Sequence, residues 1–264
     1  MYRFLLSGRW VALGLVAVVV AAVCAQLGLW QFERLGERRA DNATVESNLD
    51  AAAVPLAQLS PVDAPLPDGV EWRQVSLSGT YDADAEILVR YQTRGPLRGV
   101  DVVVPLQLSD GSLVLVDRGF LESPAGTPDR AAVPSPPAGT VEVAGWLRAD
   151  SDAPEEATDP IDGTVRAVSS AALADELAAP LRAGWVLAVE EQPAAEGTGL
   201  VGPEEPDLGT GPHLYYGLQW LFFGFLALLG YAWFAYDEAH PRRRSPGREV
   251  DSIGRADRGL RVTG

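Results

Sequence analysis

The chain has 264 residues and a formal net charge of −15, and it contains 21 arginines but no lysine. With an isoelectric point near 4.5, we expect no nucleic-acid partner, because the phosphate backbone attracts basic surfaces. A single cysteine excludes a disulfide framework, a Cys-x-x-Cys redox pair and a metal site built on cysteines.

The first predicted element is a membrane-spanning helix at residues 11–30. Residues 11–29 form a run of 19 positions that are apolar or small except for one glutamine, a length suited to crossing a bilayer. Two alternatives are a signal peptide cleaved after Ala25 and a lipoprotein anchored at Cys24. The apolar run continues beyond Ala25 and is longer than the core of a usual signal peptide, so an uncut span is favoured.

A β-dominated domain is predicted at residues 71–191, after a membrane-proximal segment at 31–70. In that segment, residues 31–49 extend the first helix, and the proline-rich residues 51–69 form a linker, because proline cannot continue a helix. The apolar period then changes to two, which is typical of strands. The predicted strands are 72–81, 85–91, 99–108, 112–121, 140–149, 165–168 and 185–190.

Local signals complete the prediction for this domain. The Ser-Asp-Gly at 109–111 predicts a hairpin, because Asp-Gly tolerates the positive φ of a tight turn. A helix at 171–181 is expected to be capped by Ser169 or Ser170. The acidic segment 150–162 is expected to be mobile and solvated, and it resembles a metal-binding cluster in composition only. The predicted fold class is α+β, with two transmembrane helices flanking a β-dominated extracytoplasmic domain that has one or two short helices.

A linker at 192–212 leads to a second predicted span at 213–236 and a tail at 237–264. The second span contains no Asp, Glu, Lys or Arg, and its length is sufficient to cross a bilayer. Residues 31–213 hold 12 arginines against 31 acidic residues, whereas the tail alone holds seven arginines. The positive-inside rule therefore places the N-terminus (1–10) and the tail in the cytoplasm and the acidic domain outside.

Small residues line one face of each predicted span, which predicts that the spans pack on each other or on a partner. The two faces are Gly14, Ala21, Ala25 and Gly28 in the first span, and His213, Gly217, Trp220, Gly224, Ala227 and Tyr231 in the second. The alternative is that glycine and alanine are simply abundant in this chain.

The outer part of the chain offers little for catalysis, and we expect no enzyme. His213 is the one outer histidine, and it lies at the membrane surface, far in sequence from any serine that it could activate. The paired acids are better explained as a solvated face than as a glycosidase pair. His213 itself has two interpretations: a ligand of a haem iron, or an interfacial residue that bonds water or headgroups.

Three separated motifs occur at the two predicted spans and between them. The first is residues 27–35, Leu-Gly-Leu-Trp-Gln-Phe-Glu-Arg-Leu, which fits L-G-x-W-Q-x-x-R. The second extends over Pro105-Leu106, Asp110-Gly111, Leu115-Val116 and Asp117-Arg118-Gly119-Phe120, and the third is residues 213–220, which fits H-x-x-Y-x-x-Q-W. In their order and with the two-span architecture, these motifs resemble those of the surfeit-locus family of cytochrome c oxidase assembly factors, although Gly-Glu follows the first motif where the family often has Trp-Lys.

The resemblance implies a multi-pass cell-membrane protein for biogenesis of haem–copper cytochrome c oxidase, which assists the insertion or stabilisation of haem a in the catalytic subunit. Its implied partners are that haem-bearing subunit and membrane lipids, and its implied cofactor is haem a, bound transiently with His213 as a ligand. The other residues expected to contact haem or a partner are Trp30, Gln31, Arg34, Tyr216, Gln219 and Trp220.

Two other functions remain open: a membrane scaffold for an oxidase subunit that binds no haem, and a membrane-anchored extracellular enzyme. Arg34 has three candidate partners, namely a haem propionate, Glu37 and a lipid phosphate. For Arg118, a structural ion pair is favoured.

Overall fold

The computed structural model describes residues 3–62, 64–124, 126, 130–177, 179–194 and 199–240. It divides into a helical unit, Met1–Arg34 with Pro212–Gly264, and a second unit, Leu35–Gly211. Most of the predicted arginine-rich tail lies outside the described residues.

The chain forms helices at both ends and strands between them, which confirms the predicted α+β class. The elements are α1 (Gly8–Asp50), β1 (Val54–Pro55), β2 (Gln74–Tyr81), β3 (Ile87–Arg94), β4 (Leu97–Leu108), β5 (Leu113–Glu122), β6 (Thr140–Arg148), α2 (Glu155–Thr158), β7 (Thr164–Val165), α3 (Ser170–Leu177), β8 (Leu181–Gln192) and α4 (His213–Ala239).

Helices α1 and α4 are long and apolar enough to cross a membrane. They pack on each other through glycines, as the stripe of small residues predicts. A Cβ at Gly14 would lie 3.1 Å from the ring of Tyr231, and a Cβ at Gly224 would lie 3.1 Å from the Cβ of Cys24. A side chain at either position would press on the facing residue, so the glycines favour the close approach of the two helices.

The second unit is built on a closed ring of five strands. Strand β2 pairs with β6, β6 with β8, β8 with β5, and β5 with β4. The ring closes because the end of β2 pairs on both of its sides: Gly79 faces Val141 of β6 and Leu108 of β4. A Cβ at Gly79 would overlap the carbonyl oxygen of Gln107, so only glycine fits at this closure.

Alternation along the strands divides the buried side chains into two apolar clusters. In β4, Val100, Val102 and Val104 belong to the first cluster, together with residues of all the other strands of the ring. Val103 points the other way and packs with Leu173 of α3 in the second cluster. Each such buried side chain stabilises the fold by about 1.5–3 kcal/mol, so α3 is held by the outer face of the ring.

The predicted hairpin is present between β4 and β5. Gly111 has a φ of +83° and its N–H donates to the carbonyl oxygen of Leu108, while the N–H of Leu108 donates to Ser112. The loop of three residues thus ends in a glycine in the left-handed region, which is a common way to join antiparallel strands.

Three segments differ from the prediction because they pack onto the ring. The predicted linker 51–69 contributes Leu56, which is fully buried in the first cluster. In the predicted linker 192–212, Val201 pairs with Phe120 of β5. The acidic segment contains α2, and the carboxylate of Asp150 accepts hydrogen bonds from the start of α3.

Candidate functional site

The predicted site residues belong to the helical unit, where His213 is the first residue of α4. Its ring Nδ1 lies 2.8 Å from Oε1 of Gln31 on α1, and both residues are half-buried. The structure therefore joins the first and the third sequence motif by a direct side-chain hydrogen bond.

The helices come close enough for this bond because of a contact one turn further along α4. Gly217 is buried, and a Cβ there would lie 2.7 Å from the ring of Phe32. Gly28 of α1 packs on the same residue, because a Cβ at Gly28 would lie 3.2 Å from the carbonyl oxygen of Gly217. Gln31 thus lies in α1 between Gly28 and Phe32, which both pack against Gly217 of α4.

Trp30 and Arg34 form a pair on the surface of α1. The guanidinium carbon of Arg34 lies 5.8 Å from the centre of the Trp30 ring, a cation–π distance. Both side chains are exposed, with 46% of the Trp30 surface accessible. The aromatic ring and the positive charge beside it could both face a ligand or a partner.

The remaining predicted residues lie on α4 beyond His213. Trp220 is half-buried and meets the ring of Phe223 edge-on at 6.1 Å, whereas Tyr216 and Gln219 are exposed. Among the described residues, no side-chain hydrogen bond joins Tyr216 or Gln219 to His213. The structure thus pairs His213 with Gln31, and Trp30 with Arg34. Tyr216, Gln219 and Trp220 are side chains of α4 outside these two pairs.

Sequence reasoning did not identify Phe32 as part of this arrangement. Phe32 follows Gly28 by four residues and therefore lies on the same face of α1. That spacing was the available signal, since an aromatic ring four residues from a packing glycine can fill the space opposite a second glycine.

His213 is the residue at this place that could hold a haem iron. A neutral imidazole that donates from Nδ1 keeps a lone pair on Nε2, which is the atom that binds an iron. Among the described residues, none forms a hydrogen bond with Nε2 of His213. His240, the other histidine, directly follows α4 and stacks on Tyr236 of that helix, with the ring centres 4.3 Å apart.

Arg118 of the second motif has a structural role. Its side chain is fully buried, and its Nε and Nη2 donate to the two carboxylate oxygens of Glu191 on β8 at 3.0 and 3.3 Å. Nη1 donates to the carbonyl oxygen of Pro134, and the guanidinium lies 5.4 Å over the ring of Tyr81. The favoured interpretation of Arg118 as a structural ion pair agrees with this geometry.

Asp117, its neighbour, is a buried acid that the sequence did not reveal as unusual. It lines a cleft of about 610 Å³ in the second unit together with Asp101, Arg94 and Arg148. Burial, and after it the charge of Asp101, raise the pKa of Asp117 to about 8, while a hydrogen bond from Gly119 N opposes the shift. This carboxyl group is therefore largely protonated at neutral pH, so it can donate a hydrogen bond inside the cleft.

No metal centre emerges from this geometry. Over the described ranges, no group of three or more His, Cys, Asp or Glu side chains is arranged to hold a metal ion. The acidic segment 150–162 uses Asp150 as a helix cap and Asp159 as the end of α2.

Comparison with known proteins supports the motif assignment. The model of the SURF1 family matches residues 18–225. An uncharacterized SURF1-like protein of Mycobacterium bovis is 34% identical over 247 residues, which cover 91% of this chain and 89% of the relative. A SURF1-like protein of Rickettsia felis is 26% identical over 112 residues, covering 41% of this chain and 46% of the relative. The chain therefore belongs to the SURF1 family, known as oxidase assembly factors.

Proposed function

We propose that the chain is a cell-membrane factor that holds haem a through His213 and delivers it to, or stabilises it in, the catalytic subunit of cytochrome c oxidase. The observation that carries the proposal is the hydrogen bond between Gln31 and His213. It joins two family motifs at one point and leaves the ligating nitrogen of the imidazole without a protein partner among the described residues.

The proposed topology follows from the charges. Both termini lie in the cytoplasm and the acidic unit lies outside, because arginines are concentrated beyond α4 and acids between the helices. His213 then lies at the outer membrane surface, where α4 begins.

The residues around His213 would each have a physical role. When bound, haem a supplies an iron that accepts the imidazole lone pair. The planar face of Trp30 and the charge of Arg34 suit a macrocycle that carries propionates. Trp220 and Tyr216 provide aromatic surface on α4 for the macrocycle or for the oxidase subunit. The chain performs no chemical conversion in this scheme; it binds and transfers.

The experiment co-expresses the full-length protein, or either of two histidine variants, with the enzymes that synthesise haem a. Each protein is then purified in detergent and their spectra are compared. The wild type should purify with the haem a spectrum, His213→Ala should lose it, and His240→Ala is the matched control that should retain it. In a deletion strain, assembled oxidase and its haem a absorbance should fall. The wild-type and His240→Ala genes should restore both fully, whereas the His213→Ala gene should not.

The scaffold alternative gives a different pattern. If the wild type carries no haem a while deletion still lowers assembled oxidase, the function is scaffolding without haem. If His213→Ala carries as much haem a as the wild type, another group holds the haem and the role of His213 as its ligand is wrong. If deletion leaves the oxidase spectrum unchanged, an assembly role is wrong.

A further inference from the structure

We infer that Gln31 is a positioning residue that holds His213 in the tautomer protonated at Nδ1 and thereby makes Nε2 the nitrogen available for ligation. The inference rests on the proposed function for its consequence in haem binding, but the tautomer itself can be measured without haem. It gives Gln31 a role different from direct contact with haem.

The chemistry of the two atoms determines the direction of the hydrogen bond. The partner of Nδ1 is Oε1 of Gln31, a carbonyl-type oxygen that only accepts, and the two atoms are 2.8 Å apart. With the amide of Gln31 in this orientation, the hydrogen bond requires the tautomer that carries the proton on Nδ1. Because a neutral imidazole carries one N–H, Nε2 then holds a lone pair.

The packing of the helices explains why Gln31 can fix the ring. Gly28 lies against the carbonyl oxygen of Gly217, and Phe32 lies against the place where Gly217 would carry a Cβ. These two contacts lie on either side of Gln31 in α1, and Gly217 lies one turn from His213 in α4. These contacts thus fix the axial position and the rotation of α1 relative to α4. The amide of Gln31 therefore lies at a defined distance from the imidazole of His213.

The position of His213 makes such support necessary. It is the first residue of α4, behind Pro212, whose side chain makes no capping hydrogen bond. A side chain at a helix start has fewer neighbours to restrict its rotation than one in mid-helix. A hydrogen bond to the ring nitrogen opposite a ligand orients the ring and raises its basicity, and loss of such a partner typically weakens ligation about 10- to 100-fold.

The test uses full-length protein in detergent, labelled with ¹⁵N-histidine and kept free of haem, at about pH 8.5, where free imidazole is neutral. With two histidines in the chain, the His240→Ala variant assigns the signals of His213. The wild type should show a protonated Nδ1 and an unprotonated Nε2. Gln31→Leu should shift His213 toward the mixture of tautomers seen in solution, whereas Gln31→Glu should keep Nδ1 protonated, because a carboxylate can only accept.

Gln26→Leu is the matched control, since it removes an exposed glutamine from α1 and should leave the signals of His213 unchanged. The second readout is titration of the same proteins with haem a. Gln31→Leu should bind about 10- to 100-fold more weakly than the wild type, and Gln31→Glu and Gln26→Leu should bind about as well as the wild type.

The outcomes separate this inference from the proposed function. A wild-type His213 protonated at Nε2, or a tautomer unchanged in Gln31→Leu, overturns the positioning role even if haem a binds through His213. A tautomer that shifts as expected in a protein that does not bind haem a supports the positioning role and overturns the haem function.

Discussion

The guanidinium of Arg118 on β5 donates two hydrogen bonds to the carboxylate of Glu191 on β8, with Nε 3.0 Å from Oε1 and Nη2 3.3 Å from Oε2. The hydroxyl of Tyr81 on β2 donates to the same carboxylate at 2.5 Å. Three strands of the ring are therefore tied at one acidic group, of which only 11% of the side-chain surface is accessible.

Removing one member of this cluster should cost much more than removing a surface charge. Glu191→Ala leaves the buried guanidinium of Arg118 without its partner, and such a loss destabilises by about 3–5 kcal/mol. We expect a clear decrease in the melting temperature of the detergent-solubilised protein, followed by tryptophan fluorescence. The control is Glu190→Ala, because Glu190 is the exposed neighbour. Equal melting temperatures for the two variants would contradict a structural role of the pair.

Closure of the ring predicts an unusual sensitivity at Gly79. In Gly79→Ala, the new methyl group meets the carbonyl oxygen of Gln107, so β2 and β4 must separate, at a cost of about 1–3 kcal/mol or more. Gly36→Ala in α1 is the control, for which we expect the opposite change in the free energy of unfolding. It meets no neighbouring atom and should stabilise the helix by about 0.5–1 kcal/mol. Thermal unfolding of both variants checks the pair, and a Gly79→Ala protein as stable as the wild type would disprove the tight closure.

The buried Asp117 predicts a stability that declines as the pH rises. Its pKa is raised to about 8, first by burial and then by Asp101, while Arg94 and Arg148 oppose the shift. An unfolded aspartate has a pKa near 3.9, so between about pH 4 and pH 8 the folded state retains a proton that the unfolded state loses. The stabilisation is complete below the unfolded pKa and is lost progressively until the folded pKa is reached.

Melting temperatures from pH 4 to 9 test this sign. Asp117→Asn keeps an oxygen that accepts from the N–H of Gly119, but it cannot ionise. The melting temperature of this variant should therefore increase relative to that of the wild type as the pH rises toward 8. Asp110 is the contrast, because hydrogen bonds from Ser112 and Arg182 lower its pKa to about 2. Its contribution is present above pH 4 and is lost as the pH falls toward 2, so Asp110→Asn should leave the alkaline slope intact. Parallel curves for Asp117→Asn and the wild type would rule out the shifted pKa.

The contact of α1 with α4 can be tested with the chain's one cysteine. The Cβ of Cys24 lies 3.1 Å from the place where Gly224 would carry its own, a little closer than the usual 3.5–4.5 Å across a disulfide. Gly224→Cys should therefore form an intramolecular disulfide under mild oxidation. The bond would keep the two helices linked on a non-reducing gel after proteolysis of the loop between them. Gly230→Cys, where a Cβ meets nothing, should remain reduced, and crosslinking there instead would indicate a different helix pairing.

Much of the fold could be predicted from local patterns. The predicted strands 72–81 and 140–149 lie within two residues of β2 and β6, because a period of two indicates which face of a strand is buried. The last strand was predicted too short, since β8 begins at Leu181, inside the predicted helix 171–181. That helix instead ends at Leu177.

The candidate site was predictable to a similar degree. The stripe of small residues indicated that the spans pack together, and the motifs selected Gln31 and His213. The partner of Arg118 was not predictable, because Glu191 is 73 residues away and its acidic neighbour Glu190 has the same local signal.

By itself, the sequence determined the two apolar helices, the alternating strands and the polar residues at the helix ends, because each depends on the composition and period of a continuous stretch. Only the tertiary structure decided that β2 closes a ring with β4, that Asp117 keeps its proton, and that the amide of Gln31 meets Nδ1 of His213. These features depend on distances between residues far apart in the chain, and both hydrogen bonds and burial change steeply over an ångström.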